Sequence, residues 1–366
     1  MLKCDVDEIS FVFLPEFNGK FEEYDAFCVD IVEKLYELLH FEIGTTNHEK
    51  LEKGFSGYTS VLSFDDWQIL LAWCETSPNM GVFCKFTGQG LKNYLSKIKA
   101  VYPSFEVYDL AKAFDSITDY FAGVARASKI DLAIDFINEG LEVNEIIQKL
   151  ENGSRIYNHL ERPNTSKIGY VASDGNVETI YIGSRKNKGI QALLRIYDKK
   201  IEQMETKGIF YQEAKNSSDW VRFEASYRQK YANQIGNDLL LCDSPSDLSG
   251  LIFRRFTDRY RFGYAKNEYW NITKVMLAMA DLDFDVLLST DKRKNDLIRT
   301  FDYLTNNSGL ESFLYKISQI YGAGSIDEFF EAVKKDYYET YTANDDVINF
   351  LNKNLEELKT QKKPWE

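Results

Sequence analysis

Histidine is nearly missing from this 366-residue chain: there are three, His40, His48 and His159, and no two are neighbours. That leaves little material for a histidine metal cage. The five cysteines are scattered and odd in number, with no CxxC pair, which argues against both a disulfide framework and a zinc site. Only six prolines occur, and no long Gly/Ser run marks a disordered linker. No apolar run approaches the ~20 residues of a membrane span, and "MLKCDVDEIS" lacks the basic and apolar regions of a signal peptide. A reduced, cytoplasmic protein with no membrane partner is expected. There is no P-loop, GxSxG, HExxH or kinase motif set.

What is present is a soluble globular composition, 44% apolar and 28% charged, with 25 Phe and 23 Tyr. The net charge of −13 disfavours nonspecific coating of nucleic acid. Short β-branched and aromatic runs alternate with amphipathic stretches. "EISFVFL", "GYTSVLSF", "WQILLAWC" and "GVFCKFTG" read as strands, and so do "KIDLAIDF", "KIGYVAS", "ETIYIGSR", "ALLRIYDKK" and "DWVRFEASYRQ". Both halves of this region can be written strand, helix, three strands, helix, without a clear residue-level repeat. Short connections between strands point to an α+β fold of mainly antiparallel sheets with flanking helices. From about residue 243 the spacing is helical, "SPSDLSGLIFRRFTDRYRF" included. The expected parts are 1–125, 126–242 and a helical C-terminal region, 243–366.

Three stretches carry chemistry. In "LLRIYDKKIEQ", strand spacing puts Arg195, Tyr197 and Lys199 on one face, with Leu194 and Ile196 on the other. In "IDLAIDF", Asp131 and Asp135 share a face across Ala133, roughly 13 Å apart along a regular strand. One hard cation would not reach both without a bulge, and two solvated acids are the plain alternative. In "RFEASYR", Arg222, Glu224, Ser226 and Arg228 share a face. Taken alone this row reads first as an ion-pair ladder; otherwise Glu224 is a metal ligand and the arginines meet phosphate.

Residues 183–200 hold six basic side chains (Arg185, Lys186, Lys188, Arg195, Lys199, Lys200) and one acid, Asp198, a net of +5 inside an acidic chain. Such a reversal is a footprint for an anion. "RRFTDRYRFGYAK" interleaves Arg254 and Arg255 with aromatics, which suits single-stranded nucleic acid or, more simply, an amphipathic helix with its rings in the core. "TGQG" joins a strand to a helix and reads best as a tight turn. The last 41 residues, from Ile326, hold ten acids and six bases and make a poor DNA surface.

Together, "KIDLAIDF", "TIYIGSRKN", "LLRIYDKKIEQ" and "WVRFEASYR", in this order, resemble the replication initiation factor family: initiators of rolling-circle plasmids and related relaxases of conjugative elements. "FCKFTGQGLKNYL" is similar to its upstream glycine motif. The resemblance spans about residues 5–240 and does not reach the C-terminal third. It implies a nicking and rejoining enzyme that works through a 5′-phosphotyrosine, with Tyr197 the nucleophile and Arg195 and Lys199 holding the phosphate and favouring phenolate. It implies Asp131, Asp135, Glu224 and Glu202 as ligands of Mg²⁺ or Mn²⁺ or as proton acceptors. Arg185, Lys186, Lys188, Lys200, Arg222, Arg228, Arg254 and Arg255 become candidate DNA contacts. The implied partners are supercoiled origin DNA, a second copy of the chain and a host helicase. The rival expectation is a DNA-binding protein that keeps the fold without catalysis.

Overall fold

The computed structural model describes residues 1–51, 53–173, 176–183, 191–280, 301, 304–305, 310–343, 348, 351–352, 355, 358–359 and 363. Thirteen strands are described: β1 Leu2–Pro15, β2 His48–Lys50, β3 Ser60–Phe64, β4 Ile69–Trp73, β5 Val82–Phe86, β6 Gly123–Ile137, β7 Arg155–Tyr157, β8 Ile168–Ser173, β9 Asn176–Ile182, β10 Ala192–Asp198, β11 Trp220–Arg228, β12 Arg261–Ala265 and β13 Glu268–Tyr269. The helices are α1 Tyr24–Leu38, α2 Phe41–Gly44, α3 Gly88–Val101, α4 Val107–Asp115, α5 Val143–Glu151, α6 Lys199–Thr206, α7 Tyr211–Asn216, α8 Lys230–Leu239, α9 Pro245–Arg259, α10 Asn271–Met279, α11 Leu310–Tyr321 and α12 Ser325–Thr340.

Ten strands form one sheet in the order β2-β3-β4-β5-β1-β6-β11-β10-β9-β8, and β13-β12-β7 form a small second one. Every pairing between described strands is antiparallel. The fold is therefore α+β with antiparallel sheets, as the alternating runs implied. The two longest strands, β1 and β6, pair at the centre, from Leu2↔Phe136 to Pro15↔Gly123. A bulge between Val6 and Glu8 leaves Asp7 as an extra residue on β1. Such a residue leaves the ladder and is re-aimed.

Strand alternation divides the sheet into two faces. On one, Ile9, Phe13, Leu71, Ile130, Ile134, Leu194, Ile196 and Phe223 are fully buried, packed with Ile31, Leu91, Phe114, Ile146, Ile235 and Leu251 from the helices. On the other lie the charged residues of β1, β6, β10 and β11. This burial is what fixes register, because a slip of one residue would exchange the faces.

The chain divides into two compact units, Met1–Leu288 and Ser289–Glu366. The boundary expected near 243 moves because α9 stays with the first unit: Leu251, Ile252, Phe253 and Phe256 belong to its core. Ser244 caps this helix, accepting from the Asp247 amide at 3.2 Å, and Pro245 follows at the first turn. The helix expected through "RRFTDRYRF" stops at Arg259, and Arg261–Ala265 is a strand. In the second unit α11 and α12 pair, with Phe313 stacked edge-on to Phe329 at 5.1 Å. Among the described residues no helix is long and apolar enough to cross a membrane.

Candidate active site

Tyr197 closes β10. The next residue, Asp198, accepts the Ile201 amide at 2.8 Å, which caps α6 and turns strand into helix. The expected row survives that turn. The Arg195 guanidinium lies 4.4 Å from the centre of the Tyr197 ring and the Lys199 amine 5.7 Å from it. The ladder pairs Arg195 with Glu224 and Tyr197 with Arg222. Glu224 Oε2 accepts from Arg195 at 2.6 Å and from the Tyr197 hydroxyl at 3.2 Å. Tyr197 itself is only 7% exposed.

Behind this pair stands a buried ion network. Arg222 donates twice to Asp135, at 2.7 Å from Nε and from a terminal nitrogen, and Trp220 donates to the same carboxylate at 2.8 Å. The other terminal nitrogen of Arg222 reaches Asp7 at 2.9 Å, and Lys92 of α3 meets the same Asp7 oxygen at 2.9 Å. The bulge on β1 is what brings Asp7 there. "TGQG" serves this approach: Thr87 caps α3, and a side chain on Gly90 would stand 2.3 Å from the Gln68 carbonyl oxygen, so only glycine fits. Further along, Lys129 bridges Asp131 and Glu8, both at 2.8 Å, and Lys85 meets Glu8 at 3.2 Å.

Burial raises the Tyr197 phenol well above its ordinary value, and Glu224 adds to the rise; Arg222 and Arg195 only pull part of it back. The flanking arginines favour phenolate as expected, but burial outweighs them. Burial also weakens Lys199 as a cation, lowering its pKa together with Arg222, while Lys199 keeps a 2.6 Å bridge to Glu202. Burial pushes Asp131 up to about 6 against the pull of Lys129, and pushes Asp5 up to about 6 against Lys92.

The candidate metal ligands separate. Both oxygens of Asp135 are held by Arg222 and Trp220, and Glu202 is held by Lys199 and Gln203. Among the described residues no three His, Cys, Asp or Glu converge on one point. Asp131 differs, because its Oδ1 is buried without a hydrogen bond although Ser226 stands beside it. Ala133 separates Asp131 from Asp135 on β6 and lies opposite Glu224 on β11. Asp131 and Glu224 are thus diagonal neighbours on one face, able to offer a divalent ion two carboxylates while water and substrate supply the rest.

The basic residues separate as well. Arg222 and Arg255 are 3% and 2% exposed and are spent on internal pairs, Arg255 with Asp238 and Asp258. They are structural where sequence suggested DNA contacts. Arg254 is largely covered beside Asp258, and Lys200 donates to the carbonyls of Ser217 and Ser218 at 2.7 and 3.0 Å. Arg228 is exposed. Arg185, Lys186 and Lys188 lie outside the described residues. Sequence reading missed Asp5, Asp7, Glu8, Lys85, Lys92 and Lys129. The clustered acids of "CDVDEIS" were a signal for the first three; nothing local marks Lys92, which arrives by topology.

The sequence model of the family described as replication initiation factor matches residues 125–333. A protein named "Putative DNA relaxase NicK" from Bacillus subtilis (strain 168) is 26% identical over 263 residues, which is 70% of this chain and 67% of that protein. The solved structure of a rolling circle replication initiator protein from Geobacillus stearothermophilus matches with a TM-score of 0.53, covering 79% of this chain and all of that one, at 16% identity. That likeness speaks for the fold. The sequence match spans more than half of the chain and includes β6, β10 and β11 with their charged face, and the chain belongs to the replication initiation factor family.

Proposed function

We propose that this protein nicks and rejoins one strand of origin DNA through a 5′-phosphotyrosine at Tyr197, starting rolling-circle replication or conjugative transfer. The observation that carries the reading is the single carboxylate oxygen of Glu224, shared by the Tyr197 hydroxyl and the Arg195 guanidinium. A phenol with a raised pKa needs a base at the moment of attack, and Glu224 already accepts its hydrogen bond.

In the proposed reaction Glu224 takes the phenol proton as the oxygen attacks phosphorus. The bond from phosphorus to the 3′ oxygen breaks, and that oxygen takes a proton from water and leaves as a hydroxyl. Arg195, stacked on the ring, offsets charge on the phosphate and keeps the ring oriented. The phosphotyrosine keeps the ester linkage, so the free 3′-hydroxyl can reverse the step without ATP. Asp131, with the Glu224 oxygen that Tyr197 and Arg195 do not share, would hold Mg²⁺ or Mn²⁺, which when bound would draw charge from a non-bridging phosphate oxygen. A second cut from a chain with one such tyrosine calls for a second copy, so a homodimer belongs to this reading. A host helicase would open the duplex after the nick.

The test is a supercoiled plasmid carrying the DNA around this gene, incubated with Mg²⁺ or Mn²⁺ and stopped with SDS. Wild type should yield nicked DNA bound covalently to protein, and Tyr197→Phe none. Adducts from both would move the nucleophile elsewhere. DNA bound but never cut by either protein would leave a binding module.

A further inference from the structure

Beside Tyr197 a cavity of about 470 Å³ opens between the start of α5, the strands β9 and β10, and α6. Its size is that of a small-molecule site, ~300–1,000 Å³, and the reaction above uses only Arg195 and Tyr197 of its wall. Its charge is unexpected for a DNA enzyme. Glu142, Glu178 and Glu205 line it and make no ion pair among the described residues. The two cations in its wall are already engaged, Arg195 with Glu224 and Lys200 with backbone carbonyls. A phosphate would be repelled here. Yet the tyrosine that is to meet the phosphate also lines the cavity.

Those facts are reconciled if the cavity takes the neutral part of the nucleotide. Leu141, Val143, Val177 and Ile201 supply apolar wall, and Ile201 is half exposed. Carboxylates accept hydrogen bonds from exocyclic amino groups, and an unstacked base sits well between apolar side chains. Building on the nicking reading, we propose that this cavity receives one unstacked nucleobase adjoining the scissile phosphate and reads its amino edge through Glu178 and Glu205. The acidic wall then has a purpose: it admits the base, turns the backbone away, and so leaves the phosphate at the mouth, against Arg195 and Tyr197. A base bearing an amino group (adenine, cytosine or guanine) is selected, and thymine is refused.

The nick site is first mapped from the 5′ end of the wild-type adduct on supercoiled plasmid. Oligonucleotides carrying that site are then made abasic at each position near the nick in turn. One position should stand out, losing about 10- to 100-fold in kcat/KM. Removing the amino group there (uracil for cytosine, hypoxanthine for adenine or guanine) should reproduce much of the loss. The double substitution Glu178→Gln with Glu205→Gln should abolish the discrimination at that position alone, the difference between the two proteins vanishing on the substrate already abasic there. A flat abasic profile, a sensitive base that is thymine, or a double variant that slows all substrates equally would overturn the proposal while leaving nicking intact. Absence of any adduct would remove the nicking reading and this one with it.

Discussion

The two halves of the ten-stranded sheet share an order of elements and differ in chemistry. In each, a long strand runs through the centre, a helix follows, and a meander of strands returns until its last member lies beside the first: β1 with β5, β4 and β3, then β6 with β11, β10 and β9. A helix closes each meander, α3 in one and α8 in the other. On the face that carries Tyr197 in the second half, the first half places an apolar cluster: Val61, Leu70 and Ala72, covered by Leu51, Phe55, Tyr58 and Phe83. The link between the last two strands differs too. It spans residues 74–81 in the first half, and in the second it holds α6 and α7. The lesson is that one frame serves two ends. A face filled with carbon holds the sheet together, and the same face filled with ions, beside a longer connection, makes a site with a cavity.

The largest effect should come from breaking the network in which the halves meet. Arg222→Ala leaves the buried Asp135 without its cation and Asp7 with Lys92 alone, which typically costs about 3–5 kcal/mol. A fall in denaturation midpoint together with loss of adduct is expected; a fully stable variant would mean that the halves are joined by the β1–β6 ladder alone. Next, Leu70→Ala opens a hole under the apolar face of the first half, at about 2–4 kcal/mol. Melting should drop while the nicking rate, measured well below the transition, stays as in wild type. A slowed rate would make that face part of the site. Lys92→Ala removes one of the two cations on Asp7 and should cost about 1–2 kcal/mol. Nicking should fall about tenfold, a barrier change of ~1.4 kcal/mol, and Lys92→Arg should restore part of it. No change in nicking would confine the catalytic apparatus to the second half.

The smallest effect is a gain. Asp5, held near a pKa of 6 by burial, binds its proton more tightly folded than unfolded. Between about pH 4 and 6 the folded state therefore carries the excess proton, and stability falls as pH rises through that window. Asp5→Asn should raise the melting temperature at pH 7–8, and the gain should vanish near pH 4. A gain that persists at pH 4 would have another origin.

Much of this was legible in order. Alternation in "LLRIYDKK", "IDLAIDF" and "RFEASYR" set the faces of β10, β6 and β11, because one face of each had to be apolar to bury. What alternation cannot show is which strand lies beside which. Arg222 reads as part of an ion-pair ladder on its own strand and Asp135 as a solvated acid or a metal ligand, and they become a buried pair only through the β6–β11 ladder. Lys92 and Asp7 enter the site from more than a hundred residues away for the same reason. The pull of Arg195 on the Tyr197 phenol is legible because neighbouring cations are visible in a sequence; the larger, opposing effect of burial is not. "RRFTDRYRF" misled by composition: its helix ends at Arg259 and the chain turns back as a strand.

The one-residue bulge on β1 has a consequence for inheritance. It delivers Asp7 to an arginine that lies 215 positions later in the chain. A recombinant joining the first half of one relative to the second half of another would inherit a complete tyrosine, a complete base and an intact sheet. It would still lose the buried handshake beneath them unless both parents kept the extra residue in the same place. The two halves can drift apart in their surfaces, but at that bulge they travel as one piece.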